Sequence, residues 1–238
     1  GAIAEKFLKQ LNISVTAYAK SIGPVEVSPE RMDLSEIPNN QFCLPDADSA
    51  KEAEHYLDQK IAECDSVGGV VECVISGLPA GLGEPVFEKL DANLAKAILS
   101  IGAVKGFEIG DGFAATKACG SENNDEFRMD GDKIVKETNH AGGVLGGISD
   151  GSAVIFRAAF KPTPSIAKSQ ETVTKDGENI DLVIHGRHDP VVVPRAVVVV
   201  ESMAAITAMD MLLMSMTSRL DLIQMFFQVE NVDDSPEQ

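Results

Sequence analysis

The order of helix-like and strand-like segments is the feature that most limits what this chain can fold into. Residues 48–64 have the apolar spacing of an amphipathic helix, and residues 68–79 follow as a strand. A second helix over residues 83–102 leads into another strand over residues 103–110. A helix bundle does not alternate in this way. The sequence therefore predicts an α+β fold, a layered sandwich of sheet and helices.

The helix boundaries are predicted from capping residues and apolar stripes. Asp48 or Ser49 is expected to cap the first of these helices, and Pro85 to lie in the first turn of the second. Another helix is expected at the very start of the chain, over residues 1–11. The apolar residues expected on one face are Ile3, Phe7, Leu8 and Leu11 in this opening helix, and Ala53, Leu57, Ile61 and Cys64 in residues 48–64.

The remaining segments complete this layered picture. Residues 13–27 and 152–160 are expected to be extended, and residues 169–174 and 179–185 to form a hairpin closed by an Asp-Gly turn. Residues 111–133 are polar and rich in turn-forming residues. Six of the eight methionines fall between Met203 and Met225, a distribution typical of a core helix or a subunit interface.

The charge balance limits the classes of partner. The chain of 238 residues has a formal net charge of −17, which repels phosphate backbones and anionic lipids, so we expect neither nucleic acid nor a membrane as a partner. No run of 18 apolar residues is present. A small anionic substrate would need a local group of lysines and arginines to overcome this charge. Four scattered cysteines indicate reduced thiols in a cytoplasmic protein, and no metal site is predicted.

Each end of the chain allows one prediction. The opening helix has neither an initiator methionine nor an N-cap residue, which predicts a fragment of a longer protein. Residues 230–238 are acidic and are expected to form a flexible tail.

Residues 138–151, TNHAGGVLGGISDG, form what we call the glycine segment, because five of these residues are glycines. Glycine weakens a helix or strand by about 0.5–1 kcal/mol relative to alanine, so such a segment usually turns tightly or lies close to something else. Its spacing does not match the dinucleotide-binding fingerprint. A structural turn and a ligand-binding loop are about equally compatible with it.

Two other short segments carry groups suited to anion binding. Lys161, Thr163 and Ser165 in KPTPSI offer donors on a backbone fixed by two prolines, although a rigid polar turn explains the pattern as well. In GRHDP, Arg187 can contact a carboxylate or phosphate in bidentate fashion and Asp189 can accept a proton. A local Arg–Asp ion pair at a strand end is the simpler alternative there. His55, His140 and His185 have no partner that the sequence identifies.

A family resemblance extends this interpretation. The glycine segment, AFKPTPSI (residues 159–166) and HGRHDPVVVPRAVVVVE (residues 185–201) closely resemble chorismate synthase in order and spacing, as does IGAVKGFEIGDGF (residues 101–113). The opening GAIAEKFL is similar to the helix that follows the family's central Arg- and Ala-rich motif. The resemblance covers essentially the whole chain and implies that residues 1–238 are the C-terminal two thirds of a catalytic domain. Two histidine-bearing motifs and several arginines of the family would then be absent.

The resemblance implies an activity and a set of site residues. Family members use reduced FMN to convert 5-enolpyruvylshikimate 3-phosphate to chorismate by anti-1,4 elimination of phosphate, in aromatic amino-acid biosynthesis by the shikimate pathway, and NADP is associated with the family. The subunits are expected to form a cytoplasmic homotetramer, and this chain is expected to be inactive alone. The implied flavin contacts are Gly102, Ala103, Gly146, Lys161, Pro162, Thr163, Pro164, Ser165 and Arg187, and the implied catalytic residue is Asp189, near flavin N5.

Two departures and two alternatives accompany the resemblance. Val191 stands where many members have Cys, and Asp150 stands where Ser or Thr is common, which adds negative charge near the expected anion site. A complete, non-catalytic flavin- or nucleotide-binding module is one competing hypothesis. The other is a structural assembly domain that uses the methionine-rich helix as an interface.

Overall fold

An antiparallel sheet of five strands organises the computed structural model, which describes residues 1–186 and 188–227. The strand order is β2-β1-β3-β9-β4, and every neighbouring pair is antiparallel. Three two-stranded hairpins, β5–β6, β7–β8 and β10–β11, lie outside this sheet. In chain order the strands are β1 Ser14–Ile22, β2 Val25–Glu26, β3 Gly69–Ser76, β4 Val104–Ile109, β5 Phe127–Asp130, β6 Lys133–Lys136, β7 Val144–Leu145, β8 Ile148–Ser149, β9 Val154–Phe160, β10 Gln170–Val173 and β11 Asn179–Leu182.

Three helices form the layer that packs on this sheet. The helices are α1 Ala2–Lys9, α2 Ala47–Ala62, α3 Leu90–Leu99, α4 Val193–Ser215 and α5 Leu220–Phe227. The long helix α4 contacts β1 and β3, while α1 packs against α4 and β1, and α3 packs against α4 and the edge strand β4. The layered α+β fold predicted from the sequence is confirmed.

Alternation along the strands builds the core between these layers. In β3 the side chains of Val71, Cys73 and Ile75 are fully buried. Gly69 lies on the same face of the strand, and the side chain of Val193 in α4 lies close to it. Successive strand residues point to opposite faces, so one face of β3 meets α4. Burying an aliphatic side chain of this size contributes about 1.5–3 kcal/mol, and the same alternation in β9 buries Phe156 and Ala158.

The opposite face of the sheet carries a row of polar side chains. Tyr18, Glu72, Arg157 and Glu108 are register partners on four adjacent strands. The Tyr18 hydroxyl donates to Glu72 Oε1 at 2.5 Å, and Arg157 Nε donates to Glu108 Oε1 at 2.6 Å. Burial and the Glu72 hydrogen bond both raise the pKa of Tyr18. The row links the strands through side chains as well as through the backbone.

The expected helix starts need correction at two places. The cap of α2 is Asp46, whose carboxylate accepts hydrogen bonds from the backbone N–H groups of Asp48 and Ser49. Helix α3 begins only at Leu90, because Lys89 is extended and Pro85 precedes a separate 3₁₀ turn over Val86–Glu88.

The expected apolar faces are only partly correct. Ala53 and Leu57 are buried in α2, as predicted, but Ile61 is exposed and the exposed Cys64 lies beyond the helix end. In α1 the buried residues are Ala4 and Leu8, because these two face α4. The apolar residues left on the exposed side of α1 or just beyond its end are Ile3, Phe7 and Leu11.

One hairpin agrees with prediction and one was missed. The β10–β11 hairpin forms as expected. Within and after the stretch expected to be loop, β5 and β6 pair around a turn in which Gly131 has φ +60°. The residues of β5 are all exposed, so this strand lacks the buried face that makes a strand recognisable in sequence.

The methionine-rich segment is helix α4 together with the residues that follow it. Among the described residues, α4 is the helix long and apolar enough to span a membrane, a criterion that core helices also satisfy. Met211 is buried and Met203 packs against the core, whereas Met214 and Met216 are exposed. All four cysteines are free thiols. The acidic tail predicted at residues 230–238 lies outside the described residues.

Candidate functional site

The first site segments meet where β4 begins and β9 ends. Because these two strands are antiparallel neighbours, Gly102 and Ala103 lie beside Lys161, and the Lys161 N–H donates to the Ala103 carbonyl at 3.0 Å. Ala103 has φ +70°, a left-handed conformation that costs a non-glycine residue about 1–2 kcal/mol. The structure thus brings Gly102, Ala103 and Lys161 together, as the resemblance implies.

The Asp189 loop is fastened to the same region through residues 66–67. The Ser66 hydroxyl donates to the Thr163 carbonyl at 2.6 Å, and the Val67 N–H donates to the Pro190 carbonyl at 2.8 Å. Two consecutive residues therefore hold both the KPTPSI loop and the segment that follows Asp189. We call the grouping of residues 102–103, 161–165 and 189 the loop site.

Among the described residues, Asp189 forms an ion pair with Arg195. Its Oδ2 accepts from Arg195 Nη1 at 2.7 Å, and Arg195 lies in the first turn of α4. The carboxylate is 36% exposed, and within residues 1–186 and 188–227 its Oδ1 accepts no hydrogen bond. Arg187, the other expected partner and an expected flavin contact, lies outside the described residues.

Donor groups of the loop site face solvent. Lys161, Pro162, Pro164 and Ser165 are exposed and Thr163 is half-buried. Within residues 1–186 and 188–227, Lys161 Nζ makes no ion pair. A cavity of about 260 Å³ adjoins the loop, between the end of α2 and the Asp189 segment. Its lining residues are Ile61, Cys64, Asp65, Ile166, Ala167, His188 and Pro190.

Gly146 lies away from the loop site. The Gly147 carbonyl accepts from the N–H of Leu90, the first residue of α3, whereas Gly102 and Ala103 follow the other end of that helix. Ten helical residues span about 15 Å. Within one chain, the structure therefore does not bring Gly146 next to Lys161.

The glycine segment needs most of its glycines for its own fold. Gly146 and Gly147 form the two-residue turn between β7 and β8, with φ +62° and +92°. A Cβ on Gly142 would overlap the backbone of Gly110, and a Cβ on Gly143 would overlap that of Ala153. A Cβ on Gly146 would meet nothing within 4 Å. Of these four glycines, Gly146 is the one that faces open space.

A buried charge cluster supports the glycine segment and was not predicted. Lys136 Nζ lies 2.7 Å from Asp150 Oδ2 and 3.2 Å from Asp125 Oδ2, and all three side chains are at most 6% exposed. Burial alone would raise the pKa of Asp125, but hydrogen bonds from Ala141, Thr138, His140 and Lys136 outweigh burial and lower it. Asp150, expected to add negative charge near an anion site, is therefore paired with Lys136, which it shares with Asp125.

A second unpredicted group is the pair formed by His140 and Asp111. His140 Nδ1 lies 2.7 Å from Asp111 Oδ2, and the Asp111 N–H donates to the His140 carbonyl at 2.8 Å. These residues are 29 positions apart and meet because residues 110–111 follow β4 while the glycine segment precedes β9. No local sequence signal marks such a contact.

Comparison with known proteins gives one consistent result. The family model described as chorismate synthase matches residues 1–213. The chorismate synthase of Lachnoclostridium phytofermentans is 58% identical over 229 residues, and that of Agathobacter rectalis is 60% identical over 228 residues. Each match covers 96% of this chain and 62% of the relative, so the chain spans less than two thirds of their length.

A solved structure supports the same relationship. The chain is similar to a crystal structure of chorismate synthase with a TM-score of 0.76 and 28% sequence identity. The match covers 95% of this chain and 65% of that chain.

Proposed function

Because the chain belongs to the chorismate synthase family, we propose that it carries the flavin-binding loops of an FMN-dependent lyase. The proposed reaction is the anti-1,4 elimination of phosphate from 5-enolpyruvylshikimate 3-phosphate to give chorismate. The observation that carries the proposal is the loop site, where Lys161 lies beside Ala103 and both are linked through residues 66–67 to the Asp189 segment.

The side chains of the loop site fit an anionic cofactor. Lys161, Thr163 and Ser165 provide an ammonium and two hydroxyl donors on a backbone fixed by Pro162 and Pro164. In a chain of net charge −17, an exposed lysine without an ion pair among the described residues offers a local positive charge for a phosphate. These residues would hold the cofactor, with Gly102 and Ala103 giving backbone contacts.

Asp189 is the proposed catalytic residue. Reduced FMN, when bound, would supply the electron that assists the departure of phosphate. The chain's own contribution is positional: Arg195 holds one oxygen of the Asp189 carboxylate and leaves the other able to hold or accept a proton. Arg187 would face the anionic oxygens of cofactor or substrate, where its planar guanidinium suits two acceptors at once.

Gly146 is proposed to contact the ligand from a different segment. Its open Cβ direction leaves room for a close approach to the backbone. We further propose a cytoplasmic homotetramer, in which exposed apolar residues of α4 such as Val198, Ile206 and Leu213 are covered. By itself the chain is proposed not to form chorismate, since it spans only 62% of the length of these relatives.

Two measurements on the purified chain test this proposal. Titration with oxidised and reduced FMN, followed by flavin fluorescence, should show saturable binding that weakens in Lys161→Ala. Chorismate formation should be absent with the chain alone and should appear when the part of the Lachnoclostridium phytofermentans enzyme that this chain does not match is added. FMN binding without activity in that mixture would favour a non-catalytic flavin-binding module. No binding up to high micromolar FMN would contradict the assignment of the loop site.

A further inference from the structure

We propose that Asp111 and His140 form a proton-transfer pair in a second part of the ligand site, at the end of α3 opposite the loop site. In this pair, Nε2 of His140 exchanges a proton with an uncharged N–H or O–H group of a bound ring. Asp111 holds the imidazole and balances its charge when it is protonated. The inference rests on the proposed function, because the ligand is sought among the flavin and the cyclohexene substrate.

His140 is held at three points, two on its backbone and one on its ring. The His140 N–H donates to Asp125 Oδ1 at 2.8 Å, its carbonyl accepts from the Asp111 N–H, and its Nδ1 faces Asp111 Oδ2. A carboxylate at Nδ1 selects the tautomer with the proton on Nδ1 and leaves Nε2 as the basic nitrogen. The His140 side chain is 30% exposed, so it is accessible from outside.

The carboxylate is itself held by the surrounding turn. Asn123 Nδ2 donates to Asp111 Oδ2 at 3.3 Å. The backbone of the turn is fixed by Arg157, which donates to the Gly110 carbonyl, and by Glu108, which accepts from the Phe113 N–H. Such outside support is what a proton-transfer group requires if its geometry is to persist. It connects the polar row across the sheet to the pair.

A cavity of about 520 Å³, within the size range of small-molecule sites, is lined by residues adjacent to the pair but not by Asp111 or His140 themselves. Ala141, adjacent to His140, lines it together with Asn123, the partner of Asp111, and Leu145, adjacent to Gly146. The cavity therefore joins the pair to the turn of the glycine segment that faces open space.

The charges around the cavity indicate which chemical group enters it. Asp125 and Glu126 line it, and the buried Lys136 nearby is already paired with Asp125 and Asp150. A phosphate would meet uncompensated negative charge there. Asn123 and Asn124 offer amide donors and acceptors, while Phe127 and Leu145 offer apolar surface. This lining suits a neutral ring that bears N–H or O–H groups.

The proton balance is simple. The ligand group releases a proton to Nε2, the ring becomes an imidazolium beside the Asp111 carboxylate, and the proton then leaves to water. In the reverse direction the imidazolium donates the proton to the ligand. The charged groups that face the ring are Asp111 on the turn after β4 and Asp125 before β5, with Lys136 behind Asp125.

Carbethoxylation by diethyl pyrocarbonate, read at each histidine by mass spectrometry, tests the pair. The reagent modifies an unprotonated imidazole nitrogen, and in the pair only Nε2 is open to it, because Nδ1 is held by Asp111. In Asp111→Asn the rate at His140 should rise by about threefold or more, because the ring loses the carboxylate that holds Nδ1 and both ring nitrogens become accessible to the reagent. The exposed His55 on α2, in the same molecule, should be unchanged and acts as the internal control. An unchanged rate at His140 would overturn the pair.

A second measurement uses the wild-type chain and asks whether a bound ligand protects His140 from the reagent. It does not depend on whether a variant folds. Riboflavin and shikimate lack the phosphate of the cofactor and substrate but keep their rings, so each is added separately. Slower labelling of His140, with His55 unaffected, identifies which ring occupies the cavity. If FMN binds at the loop site and neither ring protects His140, this inference fails while the proposed function stands. If FMN does not bind, the proposed function fails, and the Asp111→Asn comparison still decides whether the pair exists.

Discussion

The Lys161 N–H donates a hydrogen bond to the Ala103 carbonyl, with nitrogen and oxygen 3.0 Å apart. The two residues are far apart in sequence, but Ala103 directly precedes β4 and Lys161 directly follows β9, at the same end of these paired strands. The antiparallel pairing of β4 and β9 therefore determines that these loops meet. A cofactor held by one loop would contact the other.

Replacing Lys161 by Ala should weaken FMN binding about tenfold or more. A charge-assisted hydrogen bond contributes about 1.5–3 kcal/mol, and 1.4 kcal/mol corresponds to a factor of ten in the dissociation constant. The measurement is fluorescence titration of FMN. Lys51→Ala is the matched control, since Lys51 is an exposed lysine on α2 whose ion pair with Asp48 lies in another part of the chain. Equal dissociation constants for the two variants would remove Lys161 from the site.

Asp189→Asn should abolish chorismate formation when the chain is mixed with the part of the Lachnoclostridium phytofermentans enzyme that it does not match. The FMN dissociation constant should change less than about threefold. Asn keeps the shape of the side chain but cannot hold a proton as a carboxylate does. Stability should change by less than about 1 kcal/mol, because Asp189 and Arg195 form an exposed ion pair. Arg195→Ala separates the two roles: it removes the ion pair and keeps the carboxylate, so activity should persist in part. Full activity in Asp189→Asn would contradict the assignment.

The strands of the main sheet could be predicted because their signal is local. Alternating burial in β3 and β9 follows directly from the pattern of apolar residues, as Val71 and Phe156 show. The capping residue of α2 was harder to predict. Asp46, Asp48 and Ser49 are all good capping residues, and only the backbone conformation of the folded chain selects Asp46.

The side-chain clusters could not be predicted because they depend on tertiary contacts. Asp111 meets His140 across 29 positions, and Lys136 meets Asp150 across 14. Neither spacing corresponds to a helical or strand period. The family resemblance placed Ala103, Lys161 and Gly146 in one residue set; the fold brings Ala103 and Lys161 together and places Gly146 at the other end of α3.

Lys136→Met should destabilise the chain by about 3–5 kcal/mol. Removing the ammonium leaves Asp125 and Asp150 buried without their cation, and breaking a buried ion pair has a cost of this size. Urea unfolding followed by far-ultraviolet circular dichroism suits a chain that has no tryptophan. Lys51→Met, at an exposed ion pair, should stay within about 0.5 kcal/mol of the wild type. A loss below about 1 kcal/mol for Lys136→Met would mean that the cluster is not buried as described.

The same cluster should make the chain sensitive to acid. The pKa values of Asp125 and Asp150 are lowered in the folded chain, so folding is favoured where both carboxylates are charged. This contribution is fully present above the unfolded pKa of about 4 and is lost as the pH falls through the folded values. Unfolding free energies measured by urea should therefore decrease from about pH 5 downwards. In Asp125→Asn the decrease should be shallower, and an unchanged slope would exclude Asp125 as a source of it.

Three alanine substitutions should separate a crowded structural glycine, Gly110, from Gly146, whose Cβ direction is open. Gly110 has φ +56°, and a Cβ there would overlap the carbonyl of His140, so Gly110→Ala should cost about 3 kcal/mol or more. Gly146 has φ +62°, but a Cβ there would point into open space. Gly146→Ala should therefore lower the free energy of unfolding only by the cost of the left-handed conformation, about 1–2 kcal/mol. Gly120→Ala, with neither constraint, should fall within about 0.5 kcal/mol of the wild type. If a ligand lies against Gly146, its added methyl should also weaken FMN or riboflavin binding, an effect that Gly120→Ala lacks. If the two variants bind FMN and riboflavin equally well, Gly146 does not contact the ligand and serves only in the turn. The cofactor contacts would then lie in the loop site alone.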